Sequence, residues 1–314
     1  MQFKFKIQPY QTEAARAVTD VFAGQPNSGA SLYLRDLGRV VGGDGTEALP
    51  GFETQVQASE GYANAPIALG SAALIENIHK VQRRNRIVES SSLATGPAPV
   101  NLDVEMETGT GKTYVYTKTM LELNRLYGWT KFIIVVPSVA IREGVYKSLK
   151  NTEQHFFEQY GKAIRYFVYN SSRLGDIDRF SASSDINVMV INMQAFNTSM
   201  KEGGRSKEAR IMYSERDEFA SRRPIDVIAA NNPIVILDEP QKMGGRATQA
   251  GIARFRPIAC LNYSATHHDR HDAVYVLDAL DAFNQRLVKR IEVKGFELKN
   301  MRGTDGYLYL QDIK

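Results

Sequence analysis

The sequence has a single cysteine, Cys260, in 314 residues. One cysteine cannot make an internal disulfide, and the usage fits a reducing compartment, so a cytoplasmic protein is expected. Long apolar runs are missing too. None approaches the roughly 18 residues that a membrane span requires. The N-terminal stretch MQFKFKIQPYQ has no apolar segment of the secretory kind, so no secretory signal is expected. Neither sign of charge dominates. The net charge of +4 points only weakly to an anionic partner and does not by itself identify a nucleic-acid binder. No internal repeat is visible. The sequence does have 43% hydrophobic and 24% charged residues, which suits a buried core inside an ordinary polar surface. The length suggests about two domains or one large one.

The most informative stretch runs from Val104 to Thr113, VEMETGTGKT. Asn101 to Met106 alternate as a short strand would. Glu107 to Gly111 form a loop of small residues. From Lys112 onward Tyr116, Met120, Leu123, Leu126 and Tyr127 recur at helical spacing. Strand, glycine-rich loop and helix are the context of a phosphate-binding loop. In that reading Thr108, Gly109, Thr110, Gly111, Lys112 and Thr113 hold the phosphates. Gly109 and Gly111 let backbone N–H groups turn inward toward phosphate oxygens. The helix start adds unpaired donors and the positive end of its dipole. Lys112 supplies a point charge on the β- and γ-phosphates, and the Thr113 hydroxyl helps to hold magnesium. The full pattern asks for glycine at 106, where Met106 stands; the shorter G-x-G-K-T core is intact. The plain alternative is a Gly/Thr turn before an ordinary helix.

Around this loop the chain alternates strands and helices. Phe3, Phe5 and Ile7 alternate as a strand does, and the spacing predicts a helix from Gln11 to Phe22. Gln11 either offers its carboxamide to an adenine edge or is a solvent-exposed helix-start residue. Residues 24–100 are rich in Gly, Pro, Ser and Asn and read as a surface insertion holding one helix, Ser71 to Arg86. Its Lys80, Arg83, Arg84 and Arg86 either touch phosphates or form a solvated face. Lys131 to Val136 (KFIIVV) is a continuous apolar strand, ended by Pro137 and Ser138 and followed by a helix from Val139. Further strands are expected at Ala163–Tyr169, Asp185–Ile191 and Pro233–Leu237, with a charged exposed insertion at 201–223. The fold class is therefore α/β, with a mostly parallel sheet flanked by helices and carrying surface insertions.

Immediately after Ile234–Leu237 come Asp238, Glu239, Pro240 and Gln241. Ligands of parallel α/β folds sit at the carboxyl ends of strands. There Asp238 can bind magnesium and Glu239 can orient and polarise water. Two adjacent carboxylates at a buried strand end are costly without a cation; the alternative is a surface turn. One strand later stand Ser264, Ala265 and Thr266, small hydroxyls able to bond the acidic pair. His267, His268 and His271 follow, without the accompanying ligands of a zinc site, and read as surface histidines.

GTGKT at 109–113, Val135–Ser138, DEPQ at 238–241 and SAT at 264–266 resemble the first RecA-like domain of superfamily 2 helicase-type ATPases. The phrase VEMETGTGKTYVY, the DEPQ form of the acidic motif and the segment Leu277–Gln285 are similar, more narrowly, to the restriction (Res) subunit of type III restriction–modification enzymes. The resemblance implies a RecA-like P-loop NTPase fold, ATP and magnesium as cofactors, and DNA and a methyltransferase (Mod) subunit as partners. It implies that Gln11 contacts adenine. It also implies that Lys112, Asp238 and Glu239 carry the chemistry, and that Gln241, Ser264 and Thr266 couple turnover to DNA. Pro137, Ser138, Asn192 and Gln194 would lie near the DNA backbone. Residues 1–290 would form the first RecA-like domain, and 291–314 would begin a following segment. A second RecA-like domain and a nuclease core are not legible in the sequence. A different superfamily 2 helicase and a non-catalytic P-loop module are the alternatives.

Overall fold

The computed structural model describes residues 5–35, 59–197, 207–219, 221–267 and 270–288. In chain order the elements are helix α1 (Pro9–Val21), strands β1 (Ala30–Arg35) and β2 (Ser59–Asn64), α2 (Ser71–Arg84), β3 (Asn101–Met106), α3 (Lys112–Tyr127) and β4 (Lys131–Val136). They continue with α4 (Val139–Tyr160), β5 (Ile164–Val168), α5 (Gly175–Ala182), β6 (Ile186–Asn192), α6 (Lys207–Tyr213) and α7 (Pro224–Ala229). The remainder is β7 (Ile234–Asp238), α8 (Arg246–Ala253), β8 (Ala259–Ser264), β9 (Asp272–Leu277) and α9 (Ala279–Asn284).

Seven strands form one sheet in the order β5-β6-β4-β7-β8-β3-β9, and every neighbouring pair is parallel. This is the α/β arrangement the sequence predicts. Its cause is visible in β4, which is buried along its whole length. Phe132, Ile134 and Val136 join the core on one face, while Ile133 and Val135 join the core on the other. That is the two-residue alternation of a strand covered on both sides. Trp129, just before β4, is fully buried against Phe22 at the end of α1, with ring centroids 5.1 Å apart. Because all seven strands of this sheet are parallel, their carboxyl ends share one rim, and the phosphate-loop and acidic motifs both lie there.

Several expectations need correction. Phe5 to Gln8 form no strand; the Phe5 ring instead sits 5.3 Å from that of His155, and Phe3 lies outside the described residues. The stretch 59–100 is not confined to the surface, since it contributes buried residues. Asn64 is fully buried and donates from Nδ2 to the Lys131 carbonyl at 2.8 Å, while its Oδ1 accepts from the amides of Thr130 and Lys131. Leu74, Ile78 and Val81 of α2 are buried, and Asn77 bonds the carbonyls of Val21 and Ala23 at the end of α1. The Gly/Ser-rich composition concealed this packing; residues 36–58 lie outside the described set.

The charged segment 201–223 also contributes core residues, since Ala209, Met212 and Phe219 are buried; 198–206 and 220 lie outside the described residues, as does 291–314. The basic residues of α2 read as a solvated face carrying ion pairs: Lys80 with Glu76 at 2.7 Å, Arg83 with Glu89 at 3.2 Å and Arg84 with Asp20 at 2.5 Å. Lys131 is a buried cation at the opposite end of the sheet from the rim. Its ammonium donates to the carbonyls of Phe180 and Ser183, where the end of α5 leaves acceptors unpaired. Burial pulls its pKa down to about 7.

Candidate functional site

β3 ends at Met106 and α3 begins at Lys112, so the loop between them is short and tightly turned. Gly109 and Gly111 have φ of 85° and 91°, the left-handed region that glycine enters without a Cβ penalty. At Gly111 a second constraint applies, because a Cβ there would meet Gln11 Nε2 at 2.7 Å. Gln11 is therefore not solvent-exposed. It is buried and donates from Nε2 to the Thr110 carbonyl at 3.1 Å, and Tyr10 donates its hydroxyl to the same oxygen at 2.8 Å. The start of α1 is tied to the middle of the loop. One loop amide already holds an anion, since Thr108 N–H donates to the Glu107 carboxylate at 2.6 Å. Thr113 stands in the first turn of α3 beside Lys112, partly exposed.

The acidic pair sits two strands away, at the tip of β7, with β8 between. Lys112 Nζ lies 3.1 Å from Glu239 Oε1 and donates to the Met106 carbonyl at 3.3 Å. Gln241 Nε2 donates to Glu239 Oε2 at 2.5 Å. The Ser264 hydroxyl is 2.7 Å from Gln241 Oε1 and accepts from the Thr266 amide at 3.1 Å. Phosphate-loop lysine, acidic loop and Ser264–Thr266 turn thus form one connected set. Glu239 adopts φ 61°, a conformation that costs a non-glycine residue roughly 1–2 kcal/mol. Its backbone N–H is spent on the Tyr263 carbonyl at 3.0 Å.

Asp238 is buried, with the Tyr116 hydroxyl 3.5 Å from its Oδ2. Burial, and then the charge of Glu239, push its pKa up to about 6; Lys112 only partly opposes them. A buried aspartate beside a partly buried glutamate, only partly offset by Lys112 and Lys242, is short of positive charge. Two carboxylates and the Thr113 hydroxyl are hard oxygen donors of the kind magnesium prefers, so the residues fit such an ion.

The raised pKa has a measurable consequence. The folded state holds the Asp238 proton more tightly than the unfolded chain, whose aspartate titrates near 3.8. Stability without metal therefore declines as the pH rises from about 4 to about 6 and is flat above. Asp238→Asn removes this cost. Above pH 6 it should be more stable than the wild type by on the order of 2–3 kcal/mol, converging with it below pH 4. Thermal unfolding in chelator across pH 4–8 checks this, and equal stabilities at pH 7.5 would refute it.

The remaining predicted positions lie farther along the rim. Pro137 and Ser138 follow β4, where the Ser138 hydroxyl caps α4 by accepting from the Ile141 amide. Asn192 ends β6 and lies within 3.5 Å of Gln194 Oε1.

His267 and His271 are not surface residues. Their side chains are 5% and 15% exposed and pack around Asp103 of β3; His268 lies outside the described residues. Among the described residues no group of three or more His, Cys, Asp and Glu side chains is arranged to hold a metal ion. Sequence reasoning missed Tyr10, Glu107, Tyr116 and Asp103. Tyr116 could have been found, because it lies one helical turn beyond Lys112 on the face of α3 that meets the sheet.

Among known families, the model described as "Type III restriction enzyme, res subunit" matches residues 4–269. The EcoPI Res subunit of Escherichia phage P1 is 34% identical over 242 residues, which is 73% of this chain and 25% of that protein. The EcoP15I Res subunit of Escherichia coli is 32% identical over 243 residues, again 73% and 25%. This chain therefore spans about a quarter of the length of the curated relatives it matches. Among solved structures, a Sulfolobus solfataricus SWI2/SNF2 ATPase core in complex with dsDNA is 10% identical and covers 61% of this chain and 31% of that chain. Its TM-score of 0.34 is a likeness too loose to carry an argument. Among the described residues no helix is long and apolar enough to cross a membrane.

Proposed function

Because the chain belongs to the Res-subunit family of type III restriction enzymes, we propose that it is the ATP-binding motor region of such a subunit, coupling ATP hydrolysis to movement on and cutting of DNA. The observation that carries this reading is the 3.1 Å pairing of Lys112 with Glu239 across the tips of β3 and β7. It supports the reading because the phosphate-loop cation and the proposed base would then act around one point. Gly109 to Thr113 would cradle the triphosphate with main-chain amides, with Gln11 beside the adenine. Thr113 and Asp238 would hold magnesium, which when bound neutralises charge on the phosphate oxygens. Glu239 would accept the proton of the attacking water, and Lys112 would stabilise charge gathering on the γ-phosphate. Gln241, Ser264 and Thr266 would relay the outcome. Pro137, Ser138, Asn192 and Gln194 would meet the DNA backbone, and a methyltransferase subunit would be the partner in the assembled enzyme.

Direct titration of the chain with a fluorescent ATP analogue tests the reading. Binding in the micromolar range is expected. It should weaken at least tenfold when EDTA removes magnesium, and below pH 6 as Asp238 takes up its proton. No saturable binding in magnesium would favour the alternative of a P-loop scaffold without nucleotide chemistry.

A further inference from the structure

The proposed chemistry makes no use of a second ionisable cluster buried beside the site. Asp103 lies in the middle of β3, three residues before Met106 closes the strand, and is 2% exposed. A carboxylate so placed is expensive unless its oxygens are filled. Here they are. Oδ2 accepts the backbone N–H of His271 at 2.7 Å. Oδ1 accepts from Asn262 Nδ2 at 2.9 Å and lies 3.0 Å from His271 Nδ1. His267 Nδ1 stands 3.7 Å away, and its Nε2 lies 3.4 Å from the Val104 carbonyl. The pairing of β3 with β9 shifts register between Asp103 and Val104, next to the carbonyl that His267 approaches. Burial alone would raise the Asp103 carboxyl; the His271 bonds and the neighbouring imidazoles outweigh it and bring the pKa below its ordinary value. The group is an ionised anchor.

What it anchors is the connection from β8 to β9. That connection begins with Ser264, whose hydroxyl touches Gln241, which touches Glu239, which pairs with Lys112. Lys112 leads back through the loop to β3 and Asp103. The contacts close into a ring around the tips of β7, β8 and β3, and Asp103 ties the Ser264–Thr266 turn to the strand that carries the phosphate loop.

We infer that Asp103 is a positioning residue, clamping His267 and His271 to the phosphate-loop strand so that a change at the nucleotide is felt at the Ser264–Thr266 turn. This rests on the nucleotide-site reading above. Coupling of this kind requires a physical connection that both sites bias, and the carboxylate supplies one from inside β3, before the phosphate loop begins.

The test is hydrogen exchange over residues 264–272, with and without a non-hydrolysable ATP analogue and magnesium, on the wild type and Asp103→Asn. In the wild type, nucleotide should slow exchange in this segment at least fivefold. Asp103→Asn should bind the analogue within about threefold of wild type and exchange faster in the segment, with its exchange no longer answering to nucleotide. A merely structural anchor would give faster exchange with the nucleotide response preserved, and that result overturns the inference. An unresponsive wild-type segment despite tight binding overturns it as well. Failure of the wild type to bind nucleotide removes both the inference and the reading beneath it. His271→Ala leaves Asp103 two donors and serves as the second variant should Asp103→Asn not fold; it should weaken the response at least twofold, and an unchanged response counts against the clamp.

Discussion

Lys112→Ala is expected to weaken binding of ATP–magnesium by about 10- to 100-fold, the range that corresponds to losing a charge-assisted hydrogen bond of roughly 1.5–3 kcal/mol. Two features of the structure support an effect of this size. Lys112 is 9% exposed, so its charge acts where water does not screen it well. The acidic residue it pairs with, Glu239, also bonds Gln241, so the acidic loop keeps one hydrogen-bonded neighbour when the lysine goes. The variant should therefore keep its fold, with a far-ultraviolet circular dichroism spectrum like that of the wild type. Fluorescence titration of a labelled ATP measures the affinity. A dissociation constant within threefold of wild type would mean that the phosphates do not sit at this lysine.

Glu239→Gln should separate binding from hydrolysis. Glutamine keeps the shape and the bond from Gln241 but cannot take a proton from water. Loss of a general base costs on the order of 10² to 10⁴ in rate. Affinity should move the other way. In this structure Lys112 is engaged by Glu239 at 3.1 Å, and incoming phosphates must compete for that ammonium. Removing the carboxylate's charge releases the lysine, so ATP should bind as tightly as to wild type or more tightly. Single-turnover phosphate release, run beside nucleotide titration, reads both quantities. Hydrolysis within tenfold of wild type would shift the proton-accepting role away from Glu239.

Much of this arrangement was legible in the sequence, for a physical reason. The phosphate loop and the acidic loop are local solutions, each set by a strand end and a few residues beside it, so their chemistry shows in contiguous residues. The continuous apolar runs of β4, β6 and β7 likewise announce burial on both faces. Sheet order is different. β3 lies between β8 and β9 although β4 is the next strand in sequence, and no local pattern encodes that choice. Asp103 was invisible for the same reason. An acid inside an alternating strand reads as solvent-facing, and its partners Asn262, His267 and His271 come from far along the chain. Gln11 was ambiguous in sequence because its environment is made by Thr110, 99 positions away. The insertions were misread where composition and packing disagree. Asn64 sits in a Gly/Ser/Asn-rich neighbourhood yet organises the start of β4.

The uniform strand direction has a spatial corollary. Neighbouring strands lie about 4.8 Å apart, so the tip of β4 stands roughly 14 Å from that of β3 and the tip of β6 roughly 19 Å, with the acidic loop of β7 between. A triphosphate over β3 and a polymer crossing β4 and β6 would lie side by side on one edge rather than one above the other. Each would have its own berth, and β7 would be the partition between them.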